Sequence, residues 1–299
     1  MLIYLNSQNC AQDLNLHKFS LIVLYSLTVI ATLYLAGYGF EYYGLSLQER
    51  PHSDLHLAWK PSGFIGQGAG IVGSALMLIL LLYSLRKRTR FMQQGWGDIR
   101  YWLNYHIWMG ITGPVLVIFH TTFKFGGIVA VSFWSMMAVA LSGVLGRYIY
   151  VQIPRSLSGE ELSASELQEL EETYRHQLSS EASGNPKALP ILDQFIETNI
   201  TESKGLMSWL THDMTATFRY NALKQRLMRE AGLSSHNAKH LVDVARRRAT
   251  LERRVAFLGQ ARKLLHHWHV FHKPFAIIMI VIMVVHITVA ISLGYTWIF

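Results

Sequence analysis

The chain has 299 residues, 51% of them hydrophobic and only 15% charged, with one cysteine and a formal net charge of +8. A soluble domain carries about a quarter charged residues, so this balance and the positive mean hydropathy of +0.22 point to a membrane protein. A lone Cys10 excludes an internal disulfide, thiolate-held iron–sulfur or zinc sites and C-x-x-C-H haem attachment. In such a chain the basic excess marks membrane flanks rather than nucleic-acid binding.

Apolar runs of about 20 residues give the expected spans. The first covers roughly 18–40 and is read as a retained span, since it is too long for a signal core and no small-residue cleavage site follows. The second covers roughly 63–85, opening GFIGQGAGIVGSALM, whose glycines are packing devices of the kind that let membrane helices approach closely, and closing on Arg86, Lys87, Arg88 and Arg90. The third (roughly 101–123) and fourth (roughly 127–150) are joined by KFGG and so run antiparallel. The fourth ends in an aromatic and basic belt of Tyr148, Tyr150 and Arg155. The fifth covers roughly 273–297. The basic groups at 86–90, at Arg147 and Arg155, and at 246–262 share one side if the N-terminus is cytoplasmic, which puts the C-terminus outside.

Residues 156–268, between the fourth and fifth spans, read as a helical cytoplasmic insert. EELSASELQELEETYRHQL has helical periodicity with Ser163 or Ser165 as cap, SSEASGNPKALP has linker composition, and PILDQFIETNI and the run from Trp209 to Ala231 are further helices. A long helix follows from Ser234 and Ser235. The Arg246–Arg248 run with Arg253 and Arg254 reads as a solvated face or a contact for acidic lipid or protein. The insert has no G-x-G-x-x-G or P-loop pattern, so nothing in it points to nucleotide or flavin. The fold class is thus an all-α integral membrane protein, a five-span helical bundle, with spans 1–4 in residues 1–155, the insert in 156–268 and span 5 in 269–299.

Ionisable groups are costly at bilayer depth, so intramembrane histidines are functional candidates. His106 and His120 lie on the third span, His272 and His286 on the fifth, and each pair is fourteen residues apart. Fourteen residues of α-helix return a side chain to within about 40° of its direction after a rise of about 21 Å. With both helices running the same way, His106 is level with His272 and His120 with His286. Two bis-histidine levels result, a donor set suited to the axial positions of an iron macrocycle used for electron transfer and poorly suited to zinc, which wants four compact ligands. Two such irons would lie about 20 Å apart. Gly110 and Gly113 leave room for a flat macrocycle at the third span, with Pro114 a local kink, and Arg100, Arg147 and Lys273 are candidate partners for inner propionates, Lys124 for outer ones. His269 is a weaker inner ligand than His272, because seventeen residues to His286 set it about 100° off the face. His17, His52 and His56 read as ordinary surface histidines.

The paired H-x13-H arrangement resembles the transmembrane haem domain of the ferric reductase and NADPH oxidase superfamily, over roughly residues 63–155 and 270–297. The cytochrome b of quinol–cytochrome c oxidoreductases has a similar spacing. The resemblance implies two non-covalent b-type haems held by His106, His120, His272 and His286, and electron flow across the membrane. The superfamily has a sixth span and a cytoplasmic flavin and NADPH domain, whereas this chain ends at Phe299 after the fifth span. Its electrons are therefore expected from a redox subunit docked on the insert. The expected function is a cytochrome b subunit in a bacterial inner membrane. Alternatives are a quinone-reactive cytochrome, or a haem-free transporter or scaffold with a histidine path.

Overall fold

The computed structural model describes residues 2–89, 91, 97–127, 129–155, 161–201 and 206–296. Arg90, the first residues of the expected insert and Phe299 lie outside them. Among the described residues the chain is all-α, with no strand beyond one isolated bridge between Arg155 and Glu161. It divides into two compact units, Met1–Arg147 with His267–Phe299, and Tyr148–His266.

The first unit begins with α1 (Leu2–Gly44), followed by a 3-10 turn at Arg50–His52 and the short α2 (His56–Trp59). Next come α3 (Phe64–Ile79), α4 (Leu81–Arg88), α5 (Ile99–His120) and α6 (Val129–Gln152), whose last turn from Tyr148 belongs to the second unit. The C-terminal part of α10 (Ser235–Ser292) completes it, and Pro274 lies inside that helix without ending it. Pro114 likewise sits within α5.

Four helical segments are long and apolar enough to cross a membrane: Asn15–Gly44, His56–Arg88, Val129–Gln152 and Ser235–Ser292. They expose what water would not tolerate, including Phe19, Ile30, Leu33 and Phe40 on α1 and Ile277, Val281 and Val285 on α10. The chain is therefore a membrane protein by character. At 22 residues α5 is long enough to be the expected third span, but Arg100, Asn104, Tyr105, His106 and His120 make it less apolar than the other four.

Those polar groups are held inside the first unit. Trp108 Nε1 donates to Thr28 Oγ1 at 3.0 Å, and Thr28 meets Thr112 at 2.9 Å. Tyr105 joins Ser20 at 2.8 Å and His17 Nδ1 at 3.3 Å, while Asn104 Nδ2 donates to His17 Nε2 at 3.1 Å. His17 is thus buried between helices, not at the surface as its position before an apolar run suggested. Apolar packing joins the rest. Leu35, Tyr42, Trp59, Leu116 and Phe119 form one cluster, and Met77, Phe133, Met136, Met279 and Met283 another.

The second unit has a core of soluble type. It contains α7 (Ala164–Ala182), α8 (Ala188–Thr201), α9 (Leu206–Glu230) and the N-terminal part of α10. Ser163 caps α7 by accepting from Glu166 N while Glu166 returns the bond, a capping box. Leu178, Leu192, Ile196, Leu223, Leu227 and Ala245 fill the space between these four helices. Two expected solvated arginines are not solvated: Arg248 pairs with Asp193 and Glu252, and Arg253 is buried with Asp213. Trp209, fully buried, stacks on Phe257 at 4.5 Å and lies under the Arg253 guanidinium at 4.5 Å.

Candidate functional site

Two of the four histidines face each other inside the first unit. The rings of His120 and His286 have centroids 6.5 Å apart. His106 lies within electrostatic reach of His272. Two imidazoles bound on opposite sides of one metal through bonds of about 2 Å, plus a ring radius of about 1.2 Å each, place their centroids roughly 6 Å apart. The His120–His286 separation matches that requirement.

Hydrogen bonds to the other ring nitrogen decide which nitrogen is free to ligate. His120 Nδ1 lies 2.9 Å from the Gly66 carbonyl, which only accepts, so Nδ1 carries the proton and Nε2 keeps its lone pair. His272 Nδ1 lies 2.8 Å from Ser142 Oγ, and that hydroxyl's single proton is donated to the Val139 carbonyl at 2.9 Å. Ser142 therefore accepts from His272, and again Nε2 keeps the lone pair. His106 lies against the backbone of Leu80 and tilts over Tyr83 at 4.8 Å, with its Nδ1 buried and without a hydrogen-bond partner.

Glycines make room for these rings. A β-carbon at Gly70 would stand 2.5 Å from His120 Nδ1, so the ring occupies the space a side chain there would take. At Gly146 a β-carbon would stand 2.3–2.8 Å from the Trp268 ring. Trp268 in turn tilts against His272 at 4.6 Å and donates from Nε1 to the Ser142 carbonyl at 2.7 Å. Gly113 is packed against α3, with Met77 Cγ 2.9 Å and the Gly73 carbonyl 3.2 Å from its absent β-carbon, whereas nothing lies within 4 Å at Gly110. Of the two glycines expected to admit a macrocycle, only Gly110 faces open space.

The expected cationic partners are dispersed. Arg100 is ion-paired with Asp98 at 2.8 Å, with its Nε buried and unpartnered. Arg147 lies within electrostatic reach of Tyr25, and Lys124 and Lys273 are exposed. His269 contacts Trp268 at 4.6 Å. His56 Nδ1 meets Tyr42 hydroxyl at 3.0 Å.

Gly66, Gly70, Ser142 and Trp268 were not singled out as site residues from the sequence. For the two glycines the signal is the i, i+4, i+7 spacing of Gly66, Gly70 and Gly73, which marks one helix face, while Ser142 and Trp268 carry none. Among the described residues no three His, Cys, Asp or Glu side chains stand together as a metal-holding group, so any metal here rests on a pair. The His120–His286 pair, with Nε2 left free at His120, fits an iron macrocycle held by two imidazoles, and His272, with Nε2 left free, has His106 within electrostatic reach. No known protein family, curated protein or solved structure matches the chain.

Proposed function

We propose that the protein is a membrane b-type cytochrome subunit that carries electrons across the bilayer through two bis-histidine haems. His120 and His286 hold one haem, and His106 and His272 the other. The observation that carries the reading is the facing of His120 and His286 at 6.5 Å while the Gly66 carbonyl fixes the His120 tautomer. An iron macrocycle held by these histidines would supply a one-electron carrier.

The chain's own residues do the rest. Gly66 and Ser142 hold the imidazoles of His120 and His272 in the ligating tautomer and orientation, Gly70 and Gly146 bring the helices close, and the apolar shell of Met77, Phe133, Met279 and Met283 keeps water out. In this reading α5 is the third of five spans, its polar groups satisfied by α1 and α3 rather than by lipid. Residues 156–268 form the cytoplasmic insert on which a redox subunit docks, on the side of Arg86, Lys87, Arg88 and Arg147. The membrane is a bacterial inner membrane. The likeness to the ferric reductase and NADPH oxidase haem domain belongs to the same proposal.

The test is a reduced-minus-oxidised spectrum with haem quantification on the full chain after haem-sufficient expression. Two non-covalent b-type haems per chain are expected, with one lost in His120→Leu and the same one in His286→Leu. Unchanged haem content in both variants refutes the ligand assignment. Haem-free protein favours a transporter or scaffold.

A further inference from the structure

Beyond His120 the chain turns through two non-glycine residues in the left-handed region, Thr122 at φ 49° and Phe123 at φ 61°. Such residues are held there only when the surroundings over-determine them. What holds them is Arg50. The residue is 6% exposed, and its guanidinium donates from NH1 to the Thr122 carbonyl at 2.7 Å, from NH2 to the Tyr43 carbonyl at 2.8 Å and from Nε to the Leu45 carbonyl at 3.1 Å. Among the described residues no carboxylate pairs with it, so a full positive charge is buried against neutral carbonyls. Burying an unpaired charge is costly.

The same two residues whose carbonyls Arg50 grips carry buried hydroxyls with nothing to bond. Thr122 is fully buried and its Oγ1 has no partner, and the Tyr43 hydroxyl is also buried without one. Tyr43 is fixed by ring contacts to Phe119 at 5.8 Å and Phe123 at 5.1 Å, the residues on either side of His120 and Thr122. A guanidinium has five N–H groups and three are spent on carbonyls. Two N–H groups and two hydroxyls remain unspent, on residues that the guanidinium joins through their backbone carbonyls, and its charge reaches the Tyr43 hydroxyl. A carboxylate, with two oxygens and about four lone-pair sites, is the ligand whose charge and acceptor count match.

We propose that Arg50, Tyr43 and Thr122 form a carboxylate-binding site at the His120 end of the first unit. This rests on the proposed function for its source: the carboxylate is a propionate of the macrocycle at His120 and His286, and a free small carboxylate is the other source of the same chemistry. Arg50 takes the place that sequence reasoning gave to Lys124, whose ammonium is exposed.

The experiment is an optical redox titration of the purified full chain, comparing wild type, Arg50→Gln, and Tyr43→Phe combined with Thr122→Val, with the two haems assigned through His120→Leu. Removing the cation from beside a propionate favours the oxidised iron. The expected result is a lowered midpoint potential of the His120–His286 haem in Arg50→Gln, a smaller lowering in the double variant, and no movement of the other haem. Acetate added to wild type separates the sources. No response, with the variant shifts present, assigns the propionate. A shift that Arg50→Gln abolishes assigns a free carboxylate. Unchanged potentials in both variants with both haems retained, together with no acetate response, overturn the proposal and leave Arg50 as a cap on helix ends. If the purified chain carries no haem, the functional reading fails separately. Acetate then decides alone: an Arg50-dependent rise in Tm over chloride supports the site, and no rise overturns it.

Discussion

In the first unit the closest approaches occur where side chains are missing: Gly70 under His120, Gly73 against Gly113, Gly146 under Trp268. In the second unit they occur around the largest side chain available, Trp209, closed by Phe257, Ile149, Ile153 and Ala261. The difference follows from the solvent. Water drives apolar side chains together, so the second unit gains by burying bulk. Lipid gives no such drive, so helices in the first unit gain by backbone proximity and by bonding polar groups across helices. Polar burial differs in the same way. The first unit spreads hydroxyls and imidazoles along helix seams and leaves its buried Arg50 on carbonyls, whereas the second pairs buried charge, with Arg253 donating to Asp213 at 2.6 Å and to His212, and Tyr148 donating to Asp213 at 2.8 Å.

The comparison can be broken at its strongest point first. Gly70→Leu puts a branched chain into the space of the His120 ring, and under the proposed function the expected outcome is complete loss of the haem proposed at His120 and His286 with the other kept, read by haem content per chain. Trp209→Ala should cost about 3–5 kcal/mol by transfer and cavity terms, read as a lowered unfolding midpoint of the full chain. Asp213→Ala leaves the Arg253 guanidinium buried without its anion. The cost should be about 2 kcal/mol, below the 3–5 of a fully buried pair, because Asp213 is 33% exposed. The smallest effect belongs to the cap: Ser163→Ala should loosen the first turn of α7 by about 1 kcal/mol, read as faster amide exchange there. Hydrogen bonds from the Ser163 hydroxyl and backbone N–H hold the Glu166 carboxyl below its usual 4.5. A depressed folded value means stability present above the usual carboxylate range and lost as pH falls through it. In wild type the first turn should therefore lose protection below about pH 4.5, and in Glu166→Gln that pH dependence should vanish.

Much of this organisation was legible in the residues. Helices need only local periodicity, so α7, α8, α9 and the long α10 follow from pattern and caps, Ser163 among them. The two histidine pairs were legible because a fourteen-residue interval is a property of each helix alone. What could not be read depends on neighbours far along the chain. Gly66 and Ser142 bond histidines 54 and 130 residues away, and no local pattern names those partners. His17 looked superficial because its cover, Tyr101, Asn104 and Tyr105, arrives from another helix. Arg50, beside Pro51 between two helices, carries no local signal of burial for the same reason. The polarity of α5 is the reverse case: a visible departure from apolar composition that its partners on α1 and α3 explain.

One regularity along α3 and α5 reaches further. Gly66 meets His120, Gly73 meets Gly113 and Leu80 meets His106, so the contacts recur every seven residues on both strands of an antiparallel pair. A seam with a seven-residue repeat belongs to helices wound about each other with 3.5 residues per turn, the supercoil of coiled coils. At that winding fourteen residues make four whole turns, and the residual rotation of about 40° in a straight helix vanishes. The interval between the histidines is then two heptads, the repeat of the seam itself. A single residue inserted into α5 between them would act as a phase error, turning one imidazole off the seam by about 100° while leaving the other in register.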